Sequence, residues 1–304
     1  MHVVVGSGSI GTAIASSLAE SGVAVRIVTR SGGGPKHPLI TRVAADASDT
    51  AAFRRAAAGA EVIYNCVNPP YHAWPTDWPP IASALLAAAI ENDAVLAITG
   101  NLYGYGPVDR PMTEDMPLAA RTVKGRVRAR MWEEALAAPV RTFEVRASDY
   151  IGPRYTVIEM ALPALRAGKT AWLPASVDVP HTYTYTGDVA RTMIALAGDR
   201  RAWGSAWHVP SPPPMTGREL LTRVAEIGGM PAPRLRTYPR AAVRAAALFD
   251  KFTKEFLEVR YQHDRPFVLD SSRVSAVFGL TATPVDEAIR AVLRLSEVAV
   301  EVHQ

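Results

Sequence analysis

The stretch "VVVGSGSIG" carries Gly6, Gly8 and Gly11 in the spacing G-x-G-x-x-G. It follows a β-branched run and opens a helical pattern, the setting in which this spacing binds a dinucleotide. Gly6 permits the tight turn, Gly8 lets the backbone approach a pyrophosphate, and Gly11 lets the helix pack on the sheet. Ser9 and Ile10 begin that helix, whose unpaired N–H groups direct partial positive charge at the phosphates. The next strand ends in Thr29, Arg30 and Ser31, with no acid to hold a ribose 2′-hydroxyl. Arg30 can pair with a 2′-phosphate and Ser31 can add a hydroxyl, so the expected cofactor is NADP(H) before NAD(H). A surface arginine closing a loop is the plainer alternative. Asp46 is placed to meet the adenine amino group or to cap the next helix, a job that better suits Asp49.

A second stretch, "TVKGRVRARM" at 122–131, sets Lys124 and Arg128 four residues apart, on one helix face. A lysine in a dry site can give a proton to a growing alkoxide or stabilise it by charge. The forked donors of an arginine suit ribose hydroxyls. Together with Arg121, Arg126 and Arg130, the same residues also read as a solvated helix face.

The elements that must position these groups alternate. Strands are expected at Val3–Val5, Val23–Val28, Glu61–Val67, Ala94–Thr99 and Val140–Val145, and helices at Gly11–Glu20, Thr50–Ala58, Ile81–Ile90 and Thr122–Ala137. This rhythm predicts an α/β fold, a Rossmann-type doubly wound parallel sheet, with a smaller C-terminal substrate-binding lobe. Residues 1–150 form the dinucleotide-binding domain in this reading, segments near 181–200 return to it, and 151–304 are mainly the substrate lobe.

Several segments, in this order, resemble the extended or atypical short-chain dehydrogenases/reductases, the group of NAD-dependent epimerases and dehydratases. They are "GSGSIG", "AEVIYNCVNPP", "AITGNLYGYG", "VRASDYIGP", "HTYTYTGDVA" and the C-terminal "DSSRVSAVFGLTATPVDEAI". The resemblance implies that Val67 and Asn68 flank the nicotinamide ribose and that Thr99 orients a substrate oxygen. It places Lys124 and Arg128 in the slot of the family's catalytic Tyr-x-x-x-Lys, so the tyrosine is replaced. Tyr103 is the best substitute proton donor, ahead of Tyr105 and Tyr150. Tyr71, His72, Trp74, Asp149, Tyr150 and Tyr183 are candidate substrate contacts, although Trp74 and Trp78 equally suit loop anchors. Arg154, Arg166, Arg218 and Arg234 are available to a charged substrate. The expected activity is NADP-dependent reduction of a carbonyl or enone. Two alternatives stand beside it: a non-catalytic NADP-binding redox sensor, and a sugar-nucleotide epimerase or dehydratase using another acid.

The bulk properties narrow the classes. The 304 residues are 48% hydrophobic with a net charge of +4, enough for a sizeable core and without a block of like charge, so no nucleic acid is expected. No apolar run is long enough to span a bilayer, and the single cysteine, Cys66, reads as an inert core thiol; a cytoplasmic protein without membrane partner is expected. The histidines His2, His37, His72, His181, His208, His263 and His303 stand singly in sequence, so no metal is expected. The helices Ile81–Ile90 and Lys124–Ala137 make a homodimer plausible by the same resemblance.

Overall fold

Three consecutive valines, Val3, Val4 and Val5, are almost wholly buried, because a strand covered on both faces has no side for polar residues. They lie on an interior strand of a sheet in a computed structural model that describes residues 1–153 and 156–301, with side chains described to residue 296. Arg154 and His303 lie outside the described residues.

The strands are β1 (His2–Val5), β2 (Val25–Thr29), β3 (Ile40–Ala44), β4 (Val62–Asn65), β5 (Val95–Asn101), β6 (Arg141–Ala147) and β7 (Ser205–His208). They pair in the order β7-β6-β5-β4-β1-β2-β3, every neighbour parallel. Val5 is in register with Val28 on one side and Asn65 on the other, so the chain leaves β1 where the strand order reverses. Ligands bind at that switch point in open α/β sheets. The expected Rossmann-type sheet is therefore present.

The helices among the first six of these strands are α1 (Ser9–Glu20), α2 (Thr50–Ala57), α3 (Trp74–Glu91) and α4 (Val123–Ala137). Asp49 caps α2 by accepting from the Ala52 N–H at 3.0 Å. Thr122 caps α4 by accepting from the Gly125 N–H at 3.1 Å. Helix α3 departs from the sequence reading. It begins at Trp74, not Ile81, and runs through Pro75, Pro79 and Pro80. The first turn has no internal partners for its N–H groups, so Pro75 costs little there, whereas Pro79 and Pro80 lie inside the helix. Trp74 and Trp78 are thus buried helix residues, 2% and 1% exposed.

By chain contacts there are two compact units: Met1–Gly106, Glu114–Ala147 and Val189–Val209 in the first, and Pro107–Thr113, Ser148–Asp188 and Pro210–Gln304 in the second. The returning segment is 189–209, where the sequence places it near 181–200. The second unit has its own core, built from Ile151, Ile158, Leu162, Leu173, Leu220 and Ile289 among others. Two short parallel pairs lie in it, Asp149–Ile151 with Tyr183–Tyr185 and Thr170–Leu173 with Arg234–Thr237. No described helix is long and apolar enough to cross a membrane.

Candidate active site

The glycine turn is shaped by its backbone. Gly6 has φ +100°, and a Cβ there would lie 2.7 Å from the Cys66 carbonyl oxygen. A Cβ on Gly11 would lie 2.1 Å from the Gly6 carbonyl oxygen, so α1 and the turn are in direct backbone contact. Gly8 precedes α1 with no side-chain cap, and nothing lies within 4 Å of where its Cβ would be. The first N–H groups of α1, at Ser9 and Ile10, therefore face an open cradle that fits a dinucleotide pyrophosphate. Val67 donates its N–H to the Asn65 side chain at 3.2 Å, which orders the backbone leading to Asn68. Burial pushes the Cys66 thiol up to about 12, which makes it inert.

At the end of β2, Arg30 and Ser31 are exposed. The Ser31 hydroxyl accepts from the Gly33 N–H at 3.3 Å. The N–H and hydroxyl of Ser48 hold the Asp46 carboxyl below its usual range, and Arg30 adds to this by charge. Asp46 thus belongs with Arg30, and Asp49 has the capping role.

The second group lies on β5, the turn after it, and the start of helices α3 and α4. A Cβ on Gly125 would meet the Ala120 Cβ at 2.3 Å and the Tyr103 carbonyl oxygen at 2.6 Å. Only glycine lets α4 approach this closely. Gly125→Ala is accordingly expected to cost about 1–3 kcal/mol by overpacking. A thermal melt checks it, and an unchanged melting temperature would show that the contact relaxes freely.

Because α4 sits so close, Lys124 is buried at 1% exposure. Its Nζ lies 5.5 Å from the centre of the Tyr71 ring. The Tyr71 and Tyr103 hydroxyls share a hydrogen bond with an O–O distance of 2.6 Å. Trp74 stacks on Tyr103 and meets Tyr71 edge-on, so both phenol rings are held. His72, between them in sequence, is exposed.

Arg128 is 5% exposed and does not lie on a solvated face. It donates to the Thr99 carbonyl oxygen, stands 3.8 Å from the Glu144 carboxylate, and sits 5.0 Å over the Trp78 ring. The Thr99 hydroxyl points at sulfur, 3.2 Å from Met193 Sδ and 3.8 Å from Cys66 Sγ.

A buried polar chain continues from Arg128. Glu144 and Arg146 pair at 2.6 Å with both side chains under 5% exposed. Arg146 donates to the Tyr105 hydroxyl at 2.7 Å, and that hydroxyl meets His208 Nε2 at 2.8 Å. Gly100 makes the space, since a Cβ there would lie 2.6 Å from a Glu144 carboxylate oxygen. Burial pushes the Tyr105 hydroxyl up to about 12, against the pull of Arg146.

In the second unit, Asp149 lies 3.2 Å from His181 Nε2 and 3.7 Å from His263 Nε2. His181 and His263, far apart in sequence, therefore meet at one carboxylate. Burial works to raise the Asp149 carboxyl, but the charge and hydrogen bond of His181, with His263 behind it, hold it at about 2. Tyr183 is buried against the His181 ring, and burial raises its hydroxyl. Tyr150 is half-buried on the same short strand as Asp149.

No protein-family model and no curated protein matches the sequence. Solved structures do. The WbmH enzyme of Bordetella bronchiseptica, in complex with NAD+, is 19% identical, with TM-score 0.74 over 96% of this chain and 98% of its own. The UDP-glucose 4-epimerase of Thermotoga maritima, with UDP-glucose, is 15% identical, with TM-score 0.78 over 97% and 99%. The dTDP-glucose 4,6-dehydratase of Bacillus anthracis, with NAD, is 16% identical, with TM-score 0.74 over 95% and 96%. The fold is that of the nucleotide-sugar epimerases and dehydratases. This is the fold the sequence resemblance implies, and it spans nearly the whole chain. It also corrects the expectation of NADP(H). WbmH and the dehydratase are described with NAD.

Proposed function

We propose that this protein is an NAD-dependent enzyme of the nucleotide-sugar epimerase or dehydratase type, in which a pair of tyrosines replaces the missing catalytic one. The observation that carries the reading is the Tyr71–Tyr103 hydroxyl pair, 2.6 Å apart, beside the buried Lys124. Gly6, Gly8, Ser9, Ile10 and Gly11 hold the pyrophosphate, and Val67 and Asn68 lie along the ribose of the nicotinamide. NAD, when bound, supplies a hydride acceptor and donor. The chain's own task is to move a proton. Tyr103, as its phenolate, takes it from a sugar hydroxyl and becomes neutral; before that transfer Tyr71 shares the phenolate's negative charge through the short hydrogen bond. The Lys124 ammonium stabilises that charge from beside the Tyr71 ring. Thr99 orients the same substrate oxygen by exchanging its contact with sulfur, a weak acceptor, for a stronger one. Arg128 is a positioning residue, since its donors go to Thr99 and Glu144.

Two measurements test this. Calorimetry is expected to give tighter binding of NAD than of NADP, with the gap narrowed in Asp46→Asn; NADP bound as tightly as NAD would sink the cofactor assignment. Incubation with NAD and a panel of UDP- and dTDP-hexoses, followed by NMR, is expected to yield an altered sugar nucleotide without accumulation of NADH. Conversion that consumes the cofactor one-for-one would overturn the reaction class.

A further inference from the structure

We propose that Asp149, His181 and His263 form a binding site for a divalent transition-metal ion such as zinc, cobalt or nickel. Their candidate ligand atoms all lie within 4.8 Å of one another. Asp149 Oδ2 stands 3.2 Å from one imidazole Nε2 and 3.7 Å from the other. A tetrahedral shell with metal–ligand bonds of ~2.0–2.1 Å holds its ligand atoms roughly 3.3–3.4 Å apart. The two carboxylate–imidazole spacings fit that shell with shifts of a few tenths of an ångström, and no two of the ligand atoms are more than 4.8 Å apart. Two imidazoles and a carboxylate are the donor set that suits borderline ions rather than calcium or magnesium.

The two rings lie nearly parallel, 9° apart with centres 5.2 Å distant. This brings both Nε2 atoms to the same carboxylate oxygen from one side. His181 is held firmly. It is 2% exposed, and its backbone exchanges hydrogen bonds with Met215 at 3.0 Å in both directions. Phe267 stacks on the His181 ring, and Phe256 borders His263. The apolar walls orient the ligands and keep water from most of their surface. Arg260, the cation on the same turn as His263, has its charge answered by Asp264 at 3.7 Å. The Asp149 side chain is 36% exposed and that of His263 21%, so one side of the cluster stays open. That opening gives the ion an entry path and leaves a coordination position for water or an anionic ligand.

The test uses untagged full-length protein stripped with a chelator. Titration with Co2+ is expected to give one saturable equivalent with visible d–d absorption, displaced by Zn2+. His263→Gln and Asp149→Asn are each expected to weaken binding by roughly tenfold or more, since even outer partners of a metal ligand are worth that much. Circular dichroism checks that the variants fold. His263 lies on a surface turn, so His263→Gln decides alone should Asp149→Asn fail to fold. Absence of saturable Co2+ binding, or one equivalent retained at wild-type affinity in the folded variants, overturns the site. The readout needs no turnover, so it stands apart from the proposed activity.

Discussion

Glu144→Ala is expected to remove about 3–5 kcal/mol of stability, the cost of leaving a buried charge without its partner. The carboxylate serves two cations at once. Arg146 pairs with it at 2.6 Å and Arg128 stands at 3.8 Å, all three side chains at most 6% exposed. Removing it leaves Arg146 without its carboxylate and takes a counter-charge from Arg128, in the interior where hydration cannot replace the lost interaction. The Tyr105 hydroxyl is a dipole, and it offsets little of Arg146's charge. Urea unfolding measures the loss. Glu144→Ala combined with Arg146→Met should recover part of it, because the second change removes the stranded charge. A single-variant loss below about 1 kcal/mol, the value of a surface pair, would show that water reaches this network.

Tyr103→Phe is expected to lower kcat by about 10²–10⁴ in the nucleotide-sugar assay, the usual contribution of a positioned acid–base group. The ring would keep its stacking on Trp74, so stability and NAD binding should change little. Tyr71→Phe should cost less than Tyr103→Phe, because it removes only the hydroxyl that shares the charge. Lys124→Met tests the electrostatic role, and a pH–rate profile separates it from packing. Loss of the ammonium should move the acidic limb of that profile to higher pH, because the base loses the charge that favours its anion, whereas mere packing damage would lower the whole curve. Wild-type turnover in Tyr103→Phe would remove the tyrosine pair from the mechanism.

The framework of the first unit was legible because its signals are local. A valine run, a G-x-G-x-x-G turn and the cap at Asp49 each act within one turn of chain. What escaped was assembled over distance. Tyr71 and Tyr103 meet only because β4 and β5 are neighbours in the sheet. The start of α3 was hidden by Pro75, Pro79 and Pro80, which read as a loop. Arg30 and Asp46 were read separately, and the charge of Arg30 reaches the Asp46 carboxyl only because their strands β2 and β3 pair. One signal was available. Glu144 and Arg146 are two apart in a strand, hence on one face, and in a strand covered on both sides such a pair must be a buried ion pair. Asp149, His181 and His263 come from three separate segments, and no spacing in the chain announces them.

The order in which the sheet's strands leave the ribosome follows from the division of the first unit. β7 pairs with β6, yet residues 148–188, which belong to the second unit, are synthesised between them. Until Ser205–His208 emerges, the outer edge of β6 is a row of unpaired N–H and C=O groups. The Tyr105 hydroxyl also waits for His208. A nascent chain stopped before β7 already holds the glycine turn, Lys124 and both tyrosines, but its sheet ends in an open strand. That intermediate is the species most exposed to misassembly, and the one a chaperone on the ribosome would meet.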